Sequence, residues 1–154
     1  ADYIARWNGS TWSSLGTGLD GTVNALVTRP NGDLVAGGTF FTAGGVAANA
    51  IARWNGSAWS GLGTGMDDTV FSLANLANGD LVAGGYFATA GGVAAASIAR
   101  WNGVSWSPLG SGMLGGFTTV SALATRTNGD LIAVLRRVDY GTYRPVVVLP
   151  PSGD

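Results

Sequence analysis

Six tryptophans, three arginines and a few aspartates recur at fixed spacing, and these are the residues of this chain equipped to do chemistry. Trp7, Trp54 and Trp101 stand 47 residues apart, as do Trp12, Trp59 and Trp106, and Arg6, Arg53 and Arg100 precede the first set. An indole face can stack on a sugar ring and a guanidinium can grip an anion. Both residue types also serve structure. A Trp can bury ~150–250 Å², which at ~25 cal/mol per Å² is several kcal/mol, and an Arg beside it can stack on the ring or pair with Asp at a sheet edge. The structural reading leads for both sets.

The aspartates are weaker candidates. Asp33, Asp80 and Asp130 each follow Asn-Gly, where a carboxylate can accept turn amides. One carboxylate per turn is too few for a calcium loop. Asp67-Asp68 is the one adjacent pair, with Asp20 as its single counterpart in the preceding repeat. Neighbours on a strand point to opposite faces, which makes them a poor acid-base dyad for glycoside hydrolysis.

Composition removes most other chemistry. The charged residues are eight Arg and nine Asp, with no Lys, Glu, His or Cys. Disulfides, thiolate nucleophiles, His-based triads, Schiff bases and the usual zinc or copper ligands are therefore excluded. A net charge of −1 without a basic cluster lacks the footprint of a nucleic-acid binder. No apolar run approaches the ~20 residues that span a bilayer, so membrane insertion is not expected. The chain reads as non-enzymatic and free of cofactors.

The elements that position these residues are repeated. Ile51 to Gly63 (IARWNGSAWSGLG) has counterparts at Ile4 to Gly16 and Ile98 to Gly110, so the period is 47 residues. Apolar runs meeting at Asn-Gly read as tight hairpins of type I′, with two residues at positive φ. Each unit then has four strands, expected at Thr22 to Arg29 (A), Leu34 to Phe40 (B), Ile51 to Asn55 (C) and Trp59 to Leu62 (D). Six Asn-Gly pairs mark the A–B and C–D turns. The 26 glycines, with many Ser, Thr, Asn and Val, suit strands and turns and leave almost no helix.

Strand B ending in Gly37-Gly38 or Gly84-Gly85, a variable loop, strand C ending in Trp54 or Trp101, and Trp59 or Trp106 opening strand D together resemble the Kelch-type β-propeller blade. The pattern is similar to secreted bacterial propellers and to fungal cortical polarity-marker proteins. It covers Ile4 to about Leu135 and departs from the family at Val134-Leu135, where the Gly pair is lost. The resemblance implies an all-β propeller of ~47-residue four-stranded blades. A β-trefoil or β-prism, often a lectin, is the rival for three four-stranded repeats.

The expected organisation is a C–D hairpin at 4–15, full blades at 22–62 and 69–109, an A–B hairpin at 118–137, and an irregular tail at 138–154 with an edge strand at 145–150. Leu114-Gly115-Gly116 inserts three residues before the last blade. A propeller needs roughly four to eight blades. The split blade therefore predicts a chain that completes itself with a second copy, as a homodimer, a higher oligomer or a filament. Ile4, Arg6, Trp7, Trp12, Leu15, Val120, Leu123, Leu131 and Leu135 would form the oligomer edges. A ligand, carbohydrate or another extracellular protein, is expected on the face of the longer loops, near Asp20, Thr42, Asn49, Asp67 and Asp68. Low charge and an Asn-, Ser- and Thr-rich surface read as a secreted protein, and the opening Ala1-Asp2-Tyr3 as a mature or excised form.

Overall fold

A computed structural model describes residues 2–113, 118–137 and 147–149. Among them the chain is all-β, with no helix, in small antiparallel sheets. A hairpin of β1 (Ala5–Trp7) and β2 (Trp12–Ser14) comes first. Two four-stranded sheets follow. One is β3 (Thr22–Thr28), β4 (Leu34–Thr39), β7 (Ile51–Trp54) and β8 (Trp59–Gly61); the other is β9 (Thr69–Asn75), β10 (Leu81–Tyr86), β13 (Ile98–Trp101) and β14 (Trp106–Pro108). In both, the strands lie side by side in chain order. A third sheet joins β15 (Thr118–Thr125), β16 (Leu131–Arg137) and β17 (Val147–Leu149). The strand of β17 falls within the 145–150 stretch, and the rest of the tail and the 114–116 insertion lie outside the described residues.

Strands A to D end one residue earlier than the sequence suggests, because Arg29, Phe40, Asn55 and Leu62 belong to the loops that follow. The turns also differ in kind. Only the glycines of Asn-Gly have positive φ, for example Gly9 at 102° and Gly56 at 98°, and the asparagines do not. Asn8 Oδ1 instead accepts the amides of Ser10 and Thr11 at 2.8 and 2.9 Å, and Asn55 and Asn102 repeat the arrangement. The C–D turn is thus a four-residue loop held by an Asn side chain, not a type I′ turn. Two consecutive glycines with positive φ occur elsewhere, at Gly44-Gly45 and Gly91-Gly92. These turn two further hairpins, β5 (Thr42–Ala43) with β6 (Val46–Ala47) and β11 (Thr89–Ala90) with β12 (Val93–Ala94), inside what reads from sequence as a loop.

Successive sheets pack face to face through their first strands, β3 against β9 and β9 against β15. Fully buried Val70 and Val120 sit on Gly37 and Gly84 of the preceding sheet, where a side chain would leave no room. Polar bonds run across the same seam: Asn24 Nδ2 donates to the Val70 carbonyl at 3.0 Å, and Arg29 to Gly79 at 2.6 Å and to Asn75. The core is divided accordingly. One cluster lies between the first hairpin and the first large sheet, one between the two large sheets, and one between the second and third sheets.

Candidate functional site

Strand D begins with a Trp so that its ring reaches the previous unit. Trp59 and Trp106 are 6% and 5% exposed, and each donates its indole N–H, at 2.8 Å, to the carbonyl of Leu15 or Leu62. Strand C supplies the partner ring: Trp54–Trp59 and Trp101–Trp106 lie tilted at 5.4 and 5.3 Å. The rings close over Gly16 and Gly63, whose positive φ of 59° and 57° lets the backbone pass beneath them. The first unit has the same pair, Trp7–Trp12 at 5.4 Å, but here the rings are 51% and 69% exposed. Among the described residues no carbonyl receives the Trp12 indole.

Other apolar residues near the start of the chain are also more exposed than their counterparts. Leu26 is 53% exposed where its counterpart Leu73 is 9%, and Val23 is half-buried where Val70 and Val120 are fully buried. Tyr3, Ile4, Val23 and Leu26 line a shallow cleft of about 370 Å³ there. At the opposite end Leu109 is half-buried, although Leu15 and Leu62 are buried, and nothing among the described residues comes within 4 Å of the place a Cβ would take on Gly110.

Of the other residues expected at an oligomer edge, Arg6 is exposed, while Ile4 and Leu15 sit inside the first core cluster. Val120 and Leu131 are buried, and Leu123 and Leu135 half-buried, in the third cluster. The arginines of strand C reach the A–B turns: Arg53 lies 3.6 Å from Asp33, and Arg100 3.6 Å from Asp80. Arg126 lies 3.7 Å from Asp130 in the third turn.

The long-loop face carries Asp20, Thr42, Asn49, Asp67 and Asp68. Asp20 Oδ1 accepts the amides of Phe41 and Thr42 at 2.8 and 2.9 Å, and Asp67 accepts those of Ala88 and Thr89 at 3.0 and 2.9 Å. The Thr42 amide, with Phe41 behind it, holds the Asp20 carboxyl below the usual range, against a smaller opposing effect of burial. Asp68 caps Thr69, and Asn49 Nδ2 donates to the Thr64 carbonyl at 3.1 Å. Asp67, Asp68 and Asn49 border a cleft of about 440 Å³, and the same two aspartates border a second of about 380 Å³. These carboxylates are engaged by backbone amides of the loops. Among the described residues no group of three His, Cys, Asp or Glu side chains could hold a metal.

Trp7 and Trp12, which the split repeat places at an oligomer edge, are the exposed members of their sets, and what the sequence does not show is the carbonyl seat that Leu15 and Leu62 give to Trp59 and Trp106. The Trp12 segment is nearly identical to its buried counterparts, and only the neighbour differs. No family model, no curated protein and no solved structure matches the chain.

Proposed function

We propose that the chain is a Kelch-like, propeller-type repeat module with a structural or interaction role outside the cell, and that it acts by associating with further copies of itself. The in-order sheets β3-β4-β7-β8 and β9-β10-β13-β14 support a blade over a trefoil or prism repeat. The observation that carries the reading is the contrast between Trp12, 69% exposed, and Trp59 and Trp106, 6% and 5% exposed. An apolar face used twice inside the molecule stands open at one end, and an open face of this kind is an association surface. With its aspartates engaged in loop hydrogen bonds and no His, Cys, Lys or Glu available, a non-catalytic role is the one these residues support.

The test is absolute mass by light scattering over a concentration series. Association into pairs or longer species is expected, with Trp12→Ala raising the concentration of half-association about tenfold or more. A compact monomer of 15.5 kDa at all concentrations would sink the reading. A second reading, carbohydrate binding, is favoured by the exposed Trp7–Trp12 pair, whose tilted faces suit sugar stacking. It predicts a saturable change of Trp fluorescence with simple sugars that Trp12→Ala removes.

A further inference from the structure

The outer edge of β16 is occupied by β17 in a telling register. Leu131, Ile132 and Ala133 pair with Leu149, Val148 and Val147. In the two complete sheets the same edge pairs Leu34, Val35 and Ala36 with Trp54, Arg53 and Ala52, and Leu81, Val82 and Ala83 with Trp101, Arg100 and Ala99. So β17 stands in the place of strand C, but offers Val-Val-Leu where strand C offers Ala-Arg-Trp. The missing triplet exists in this chain as Ala5-Arg6-Trp7 of β1, whose outer edge carries no strand among the described residues.

Two further features fit the same substitution. Asp33 and Asp80 have strand C arginines at 3.6 Å, but Asp130 has only the 64%-exposed Arg126 of its own turn, and Arg6 meets no carboxylate among the described residues. The Leu109 carbonyl and the open surface of Gly110 match the seats that Leu15-Gly16 and Leu62-Gly63 give to Trp59 and Trp106. We propose that β17 is a placeholder, and that the β1–β2 hairpin of a second copy displaces it from β16. Ala5, Arg6 and Trp7 then pair with Ala133, Ile132 and Leu131, Arg6 reaches Asp130, and Trp12 seats on Leu109 and Gly110. One edge ladder replaces another, so the backbone hydrogen bonds nearly cancel. The net drive is the burial of the Trp pair and the added ion pair, set against the entropy of association. Reciprocal exchange between two copies closes the assembly, and one-way exchange propagates it.

This inference rests on the self-association proposed above, and the test separates the two. Sedimentation equilibrium of the full chain is compared with Arg6→Asp and with Val147→Pro/Val148→Pro. Adjacent strand residues alternate their amides, so one of the two prolines must remove a bond to β16. The proline variant is expected to lower the concentration of half-association about tenfold by loosening the placeholder, and Arg6→Asp to raise it about tenfold by setting two aspartates together. Adding Asp130→Arg to Arg6→Asp should restore association. If Trp12→Ala weakens association while the proline and Arg6 variants change nothing, strand exchange is overturned and self-association stands. Monomers throughout overturn both.

Discussion

At Trp59 a single residue links two repeats, because its ring is buried and its N–H is held by a carbonyl 44 residues earlier in the chain. Trp59→Ala removes the buried ring, leaves the Leu15 carbonyl without its donor and opens a cavity. A loss of about 3–5 kcal/mol is expected in urea unfolding. The same change at Trp12, made in dilute solution where the ring is exposed, should stay within about 1 kcal/mol. Equal losses at the two sites would mean that Trp12 is already covered. Asp20 carries a pH dependence. Its folded carboxyl is held below the unfolded value by the Thr42 and Phe41 amides, so its contribution is complete above the unfolded aspartate value of about 3.9 and is lost as pH falls through the lowered folded value. Asp20→Asn should therefore flatten the acid limb of a stability-against-pH curve and leave the neutral slope unchanged. An unaltered acid limb would show that the loop does not depend on the charge.

At the scale of strands and hairpins, the seams between sheets depend on glycine. An ideal Cβ on Gly37 would lie 2.5 Å from Val70 Cγ1 and 3.1 Å from its Cβ, so Gly37→Ala overpacks a site where Val70 has nowhere to move. About 1–3 kcal/mol should be lost, read as a fall in melting temperature of several degrees, despite the intrinsic advantage of Ala over Gly in a strand. An unchanged melting temperature would mean that the sheets can shift apart at no cost. The 47-residue period and the Asn-Gly pairs made the four strands of each unit legible, because turn chemistry and strand pattern are local. The Gly44-Gly45 hairpin was not, since its two-residue strands are too short to show any periodicity. The role of Gly37 as the seat of Val70 was illegible for another reason: those residues are 33 positions apart and meet only when two sheets stack. The loop aspartates show the same limit. Asp20 and Asp67 look like free carboxylates in the sequence, and the amides that engage them lie more than twenty residues away.

For the molecule as a whole, the third sheet bears on what kind of assembly the proposed exchange would form. Val134 pairs with Ala122 as Gly37 pairs with Ala25 and Gly84 with Ser72, so it occupies the ladder position that seats Val70 and Val120 in the two internal seams. A second copy stacked on this sheet in the same way would bring its Val23 to that position. There it would meet a valine, 39% exposed, where even a single added carbon overlaps in the internal seams. The outer tier, at Leu109 and Gly110, has no such obstruction. The proposed strand exchange would therefore be favoured at the rim and opposed near the inner strands, a bias against tight closure into a ring. Val134→Gly removes the obstruction. It should cost the single chain about 0.5–1 kcal/mol for glycine in a strand, yet shift the mass distribution toward one closed species near twice 15.5 kDa. Light scattering and unfolding, measured on the same samples, separate these opposite effects. A variant that is merely less stable, with the mass distribution of the parent, would show that Val134 does not lie in the seam and that association uses another face.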